Sequence, residues 1–185
     1  MTARTYLPVW LLSASLLGSL SSPATASYFG LGVGSAQYDI RPLLGTERVE
    51  EGAPFTLFVG NRGRNLGFEL GLSGSQFDWK NYGGQASHHV SSAVFAGIAY
   101  TPMNPIVSLY GKLGLNFWST TVDYLGSEYN GDDGVSPALG AGMDIAFAPS
   151  ISFRFEYLYT LDVGDGVDKG NISMFTASGV FYFGR

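Results

Sequence analysis

Leu66-Gly67-Phe68-Glu69-Leu70-Gly71-Leu72-Ser73 puts Leu66, Phe68, Leu70 and Leu72 on one face of an extended chain and Gly67, Glu69, Gly71 and Ser73 on the other. Forty residues on, Val107, Leu109, Leu113, Leu115 and Phe117 alternate in the same way with Ser108, Tyr110, Lys112, Gly114, Asn116 and Trp118. A helix would bring apolar residues back every three or four positions, so both stretches predict strands. Two further stretches repeat the pattern. Leu139, Ala141, Met143 and Ile145 oppose Gly140, Gly142 and Asp144, and Ile151, Phe153, Phe155, Tyr157 and Tyr159 oppose Ser152, Arg154 and Glu156.

Extending the same reading in both directions gives eight strands: Tyr28 to Ile40, Phe55 to Gly60, Leu66 to Phe77, Val90 to Tyr100, Val107 to Thr121, Ala138 to Phe147, Ile151 to Tyr159 and Ile172 to Phe183. The connections alternate in length. Asn61 to Asn65, Thr101 to Pro105 and Ala148-Pro149-Ser150 are short, whereas Arg41 to Pro54, Asp78 to His89, Val122 to Pro137 and Thr160 to Asn171 are longer and polar. Up-and-down strands joined this way place every short turn at one end and every long loop at the other, the asymmetry of a transmembrane β-barrel. The predicted fold is therefore all-β: an eight-stranded antiparallel up-and-down barrel.

Period two does not say which face is outside, because a soluble lipocalin-like carrier would alternate with an apolar lumen. Composition decides. Charged residues are 14% of the 185-residue chain, against about 25% in soluble domains, too few for a wet outer surface. Twenty-six glycines suit a narrow lumen. The apolar faces are therefore expected to meet lipid. Tyr28, Tyr100, Phe147 and Phe181-Tyr182-Phe183 toward the turns, and Tyr38, Phe77, Trp79, Phe117, Trp118 and Tyr159 toward the loops, read as two interfacial girdles. The absence of cysteine excludes disulfides, thiolate metal sites and a cysteine nucleophile. A net charge of −5 argues against nucleic acid as a partner.

The first residues read differently. Arg4, the apolar run Leu7 to Leu20 and the small-x-small triplet Ala24-Thr25-Ala26 form a signal-peptide pattern. Cleavage after Ala26 is expected, leaving 27–185 as the barrel of an exported bacterial protein. The run is too short, and too broken by serines and Gly18, to span a bilayer as a helix.

Tyr28-Phe29-Gly30-Leu31-Gly32-Val33-Gly34, Phe68-Glu69-Leu70-Gly71, Leu109-Tyr110-Gly111-Lys112-Leu113-Gly114 and Pro137-Ala138-Leu139-Gly140-Ala141-Gly142, continuing to Arg154-Phe155-Glu156-Tyr157, occur in an order and spacing that resembles the OmpA-like and OmpX-like outer-membrane barrels over essentially all of 27–185. The resemblance implies residence in the bacterial outer membrane with a structural or surface-interaction role in adhesion or membrane integrity, and in some members a narrow ion pore. It also implies partners: outer-membrane lipid and lipopolysaccharide, the barrel-assembly machinery, and a host or cell-surface ligand at the loops. Members end on an aromatic residue read during assembly. Gly179-Val180-Phe181-Tyr182-Phe183 resembles that signal, but Gly184-Arg185 runs past it, which leaves the facing of the eighth strand open. No residues remain for the peptidoglycan-binding domain of longer members, so wall tethering through that domain is not expected.

Glu69, Lys112, Asp144, Arg154 and Glu156 fall on the lumen side of four strands at similar depth. Asp144 and Arg154 should face each other across the last short turn. Buried ions need partners, so mutual pairing that plugs the lumen is expected well ahead of catalysis. Two cations against three carboxylates leave one carboxylate to share a proton or meet water. His89 and Ser91 share a face, as do the histidine and serine of outer-membrane lipid A deacylases. The parity of Val90, Val94, Ile98 and Tyr100 predicts that this pair points inward, away from lipid, and the deacylase motif is absent, so no enzymatic activity is expected. His88 and His89 lack a third metal ligand. Asp132, Asp133, Asp162, Asp165 and Asp168 do not have EF-hand spacing, and Gly30, Gly32 and Gly34 lie in a strand with no helix after it, so neither metal nor nucleotide cofactor is expected. Candidate contact residues on the long loops are Tyr82, Asp123, Tyr124, Glu128, Tyr129, Asp132 and Asp133.

Overall fold

Each alternating stretch pairs with its neighbour in sequence, and the last pairs with the first. The computed structural model describes residues 26–40, 48–81, 84–102, 106–124, 127–164 and 169–183. Its strands are β1 (Ala26–Ile40), β2 (Arg48–Gly52), β3 (Phe55–Arg62), β4 (Leu66–Asn81), β5 (Gly84–Pro102), β6 (Val107–Tyr124), β7 (Ser127–Ala148), β8 (Ile151–Val163) and β9 (Gly170–Phe183). All pairings are antiparallel, and β1 to β9 closes the ring.

Nine segments make eight staves. β2 and β3 lie against β1 in one register, with Ala36 opposite Gly52 and Val33 opposite Phe55, and the gap between them is Ala53-Pro54. Pro54 has no N–H to give, so the ladder loses one bond there while Gly34 N still donates to Pro54 O at 3.1 Å. The expected second strand is thus extended by β2 across what reads in sequence as loop.

Following directly opposed residues around the wall leads from Tyr28 through Gly60, Glu69, Ala96, Gly114, Ala138, Thr160 and Ile172 to Tyr38, ten positions further along β1. A shear of ten over eight staves tilts the strands by about 40°, given about 3.3 Å per residue and about 4.8 Å between strands. On β6 the outward apolar series runs from Val107 to Phe117 and then gives way to Ser119 and Thr121. Ten steps at that tilt span about 25 Å, the height of an outer-membrane hydrocarbon band. The side chains inside this band include Leu66, Leu113 and Phe147, at 68%, 71% and 78% exposure. Water would not tolerate such a surface on a free barrel, and the carrier reading fails with it.

Three expectations are corrected. The long polar connections are largely strand: β4 and β5 pair as far as Asn81 opposite Gly84, and β6 and β7 as far as Tyr124 opposite Ser127. Polar residues mark a loop only where strands need an apolar face, and a ladder standing above the hydrocarbon does not. Secondly, His89 and Ser91 face outward. Val90, Val94, Ile98 and Tyr100 are the buried series of β5, because that strand is apolar on both faces and the register with β4 decides, setting Leu70 opposite Phe95 and Leu72 opposite Ala93. Thirdly, Tyr28, Tyr38, Phe77, Tyr100, Trp118 and Tyr182 are buried in the lumen and belong to no girdle. Phe147, Phe181 and Phe183 toward the turns and Phe117 toward the loops are exposed outside. The facing left open for the last strand is settled by the register of β9, with Val180 and Tyr182 inside and Phe181 and Phe183 outside.

Candidate functional site in the barrel lumen

Glycine makes room for this interior. Phe58 lies over its direct partner Gly30, Tyr28 over Gly60, Tyr110 over Gly142 and Trp118 over Gly134, and a Cβ on any of these glycines would collide with the ring. Large inward aromatics and the inward glycines are thus one device, since a narrow barrel can hold such rings only where the neighbouring stave beneath them is bare.

Among these rings runs a chain of alternating charge. Arg62 Nη1 lies 3.2 Å from Asp144 Oδ2. Arg154 grips Asp144 with Nε at 2.7 Å and Nη2 at 3.2 Å and reaches Glu69 with Nη1 at 2.5 Å. Lys112 Nζ then joins Glu69 at 2.5 Å to Glu156 at 2.6 Å. Every interior member bridges two opposite charges. Tyrosines complete the carboxylates: Tyr28 donates to Glu69 and Tyr110 to Glu156, each at 2.7 Å, and Tyr182 to Asp144 at 3.2 Å. The Arg154 guanidinium, 1% exposed, also lies about 5 Å from the Tyr28, Phe58 and Tyr110 ring centres.

The structure therefore brings together all five residues picked from sequence and adds Arg62. The expected surplus carboxylate is corrected, because three cations face three carboxylates. Arg62 was read as part of the Asn61 to Asn65 turn, yet β3 continues through it and its parity with Phe58 and Gly60 turns it inward. That parity was the available signal. Arg62 also donates to Ser108 Oγ at 2.7 Å and lies over the Tyr100 ring at 4.3 Å.

Above the belt the lumen changes character. A small chamber is lined by Ser73, Ser75, Ser92, Asn116 and Thr160 together with Val94, Leu158 and Met174, with room for one or two waters. Asn116 Oδ1, and Thr56 Oγ1 and Ser178 Oγ just below, are buried without a protein partner, so water has to satisfy them. Higher still, Tyr38, Phe77, Val90, Trp118 and Val163 pack together across the barrel. The Tyr38 and Phe77 ring centres are 5.9 Å apart. The end of β8 turns in over this layer, with Asp162 at φ 51° and Gly164 at φ 98°. Aspartate is among the few residues that enter this left-handed region. The corner is pinned from three staves: Tyr38 Oη donates to Val163 O at 3.1 Å, Ser136 Oγ to Asp162 O at 3.0 Å, and Asp162 N to Asn171 Oδ1 at 3.2 Å.

The loop candidates scatter along the projecting hairpin. Asp123 stands opposite Glu128, Tyr124 opposite Ser127, and Tyr129 opposite Val122, all within β6 and β7. Asp132 and Asp133 are exposed at a bulge, where Asp132 N donates to Thr120 Oγ1 at 2.9 Å. Tyr82 and residues 1–25, including the expected signal peptide, lie outside the described residues.

Residues 11–183 match the family described as outer membrane protein beta-barrel domain. Outer membrane protein A of Escherichia coli O157:H7 is 30% identical over 107 residues, covering 54% of this chain and 29% of that protein, so the chain spans under a third of its relative. In fold, the chain is similar to Neisserial surface protein A, with a TM-score of 0.64, 17% identity and coverage of 84% of this chain and 97% of that one. It is also similar to Ail, the attachment invasion locus protein of Yersinia pestis, solved with the heparin analogue sucrose octasulfate, with a TM-score of 0.57, 17% identity and coverage of 85% and 99%. With the family match running through every stave of the barrel, the chain belongs to the outer membrane protein β-barrel domain family and is an integral protein of the bacterial outer membrane.

Proposed function

We infer that this barrel is a rigid anchor that presents a surface-contact sheet above the outer membrane, after export by a signal peptide removed at Ala26. One observation carries the reading. β6 continues for seven residues beyond Phe117, about 18 Å along the barrel axis, with β4, β5 and β7 beside it. Among the described residues, β8 pairs with β7 only from Ala138 onward and reaches Ser136 through Asp162, so Ser127 to Val135 present an edge that β8 does not cover. An uncovered edge is a template for an added strand. Asp123, Glu128, Asp132 and Asp133 make this hairpin acidic, which suits a cationic or neutral partner better than a sulfated glycan such as the one Ail was solved with.

Lipopolysaccharide is the neighbour that surrounds this ledge, and the barrel-assembly machinery is the partner in insertion through the β9 end. The interior supports a structural role rather than catalysis, since each belt charge is already spent on a partner. His89 and Ser91, though on the outer face, are two residues apart on one strand, about 7 Å, with no hydrogen bond between them among the described residues.

The test is attachment of cells carrying the protein to host-cell or matrix surfaces. Deleting 121–130 removes the ledge and leaves the staves in the hydrocarbon intact. Loss of attachment with an unchanged heat-dependent gel shift is expected. Equal attachment of both forms would leave the barrel a membrane-integrity protein only.

A further inference from the structure

The ion pairs are the obvious plug of this lumen, but they block only its turn-side half. We propose that the barrel is closed twice in series, by the charged belt below and by an apolar stopper above, built from Phe77, Trp118 and Val163 and latched by the Asp162 corner. The chamber between them is the compartment that the two seals isolate.

The geometry separates the two seals. All six belt charges lie on the turn side of Ser73, Ser92 and Asn116, and the stopper lies on the loop side. Between the two, the wall offers hydroxyls and one amide, and the amide oxygen, Asn116 Oδ1, is buried without a protein partner. Wet polar groups cannot end directly against open solvent on one side and remain buried, so something above must cover them. Phe77 and Val163 do so, each with no measurable exposure.

An apolar constriction excludes ions by denying them hydration, without any charge of its own. Its weak point is mechanical. Val163 is held over the mouth by a backbone corner in a left-handed conformation, pinned by the hydrogen bonds from Tyr38 and Ser136 and to Asn171 and by the terminal pairing of Val163 with Gly170. A stopper on a strained corner can leave the mouth without any stave moving, whereas the belt can open only by exchanging partners within the wall. The two seals are thus independent, and permeation requires both to open together.

Two balanced variants separate them. Lys112→Gln with Glu156→Gln removes the last pair of the belt and leaves Arg62, Asp144, Arg154 and Glu69 neutral as a set. Phe77→Ala with Val163→Ala opens the stopper by truncating two of its three side chains and keeps the backbone acceptors of the latch. Folding of each is read from the heat-dependent gel shift, and single-channel conductance is then recorded in planar bilayers. Each double variant should stay within twofold of the parent, and the fourfold variant should conduct at least tenfold more. A second readout uses the absence of cysteine. Ser92→Cys places one thiol in the chamber, and a small cationic methanethiosulfonate should label it at least tenfold faster when the stopper is removed. Conductance of the belt variant alone equal to that of the fourfold variant would overturn the proposal. So would a fourfold variant as silent as the parent, or a Ser92→Cys thiol labelled as fast beneath the intact stopper as without it.

Discussion

Arg154→Met removes the guanidinium at the centre of the charge chain while keeping most of its volume. Arg154 holds two carboxylates, Asp144 and Glu69, and is 1% exposed. Breaking a buried pair costs about 3–5 kcal/mol, because the partner is left charged in a poor solvent. Here neither carboxylate is orphaned: Asp144 keeps Arg62 and Tyr182, and Glu69 keeps Lys112 and Tyr28. The loss should therefore fall near the lower end, about 3 kcal/mol. What remains is a set with one excess negative charge, and adding Glu69→Gln cures it by leaving Arg62 with Asp144 and Lys112 with Glu156. The double variant should recover at least half of the loss, a coupling of about 1.5 kcal/mol or more. Urea unfolding from lipid vesicles, followed by tryptophan fluorescence, measures both. A loss under about 1 kcal/mol for Arg154→Met, or simple additivity in the double variant, would refute the belt as a connected network.

The wall and the interior glycines yield further expectations. Leu70→Arg should destabilise the inserted barrel by about 2–4 kcal/mol, since this outward position lies near mid-band, while Gly71→Ser should be mild because a Cβ there meets only Phe58 Cβ at 3.8 Å. Vesicle unfolding compares the two. Gly142→Val should impair assembly more than Gly111→Val, as a side chain at Gly142 collides with the Tyr110 ring and one at Gly111 meets nothing; folding yield into vesicles reads the difference. Mass spectrometry of protein extracted from outer membranes should show Ser27 as the first residue.

Most of the wall was legible because a half-lipid, half-lumen strand must alternate. Leu66 to Ser73, Val107 to Trp118, Leu139 to Ile145 and Ile151 to Tyr159 do so, and from them the faces, the belt residues and the Asp144 to Arg154 pairing follow. β5 was misread because Val90, Val94 and Ile98 inside and Phe95 outside are equally apolar, so only its neighbours fix its facing. The hairpin tips were misread because strands above the hydrocarbon lose the apolar face that marks them. The lumenal aromatics resemble girdles in sequence for a related reason: sequence shows Tyr28 or Trp118 near a strand end, but not the bare glycine paired with it that lets the ring turn inward. Arg62 escaped notice one residue past an assumed strand end.

The central claim is that the chain spans the outer membrane with its long hairpins outside, and single cysteines in this cysteine-free chain test it most directly. Asp133→Cys lies at the bulge of the projecting hairpin and Arg64→Cys in a short turn, both at exposed positions. On intact cells a membrane-impermeant maleimide should label Asp133→Cys and spare Arg64→Cys until the outer membrane is broken. Labelling of Arg64→Cys with Asp133→Cys protected would invert the barrel, and immediate labelling of both would contradict membrane insertion.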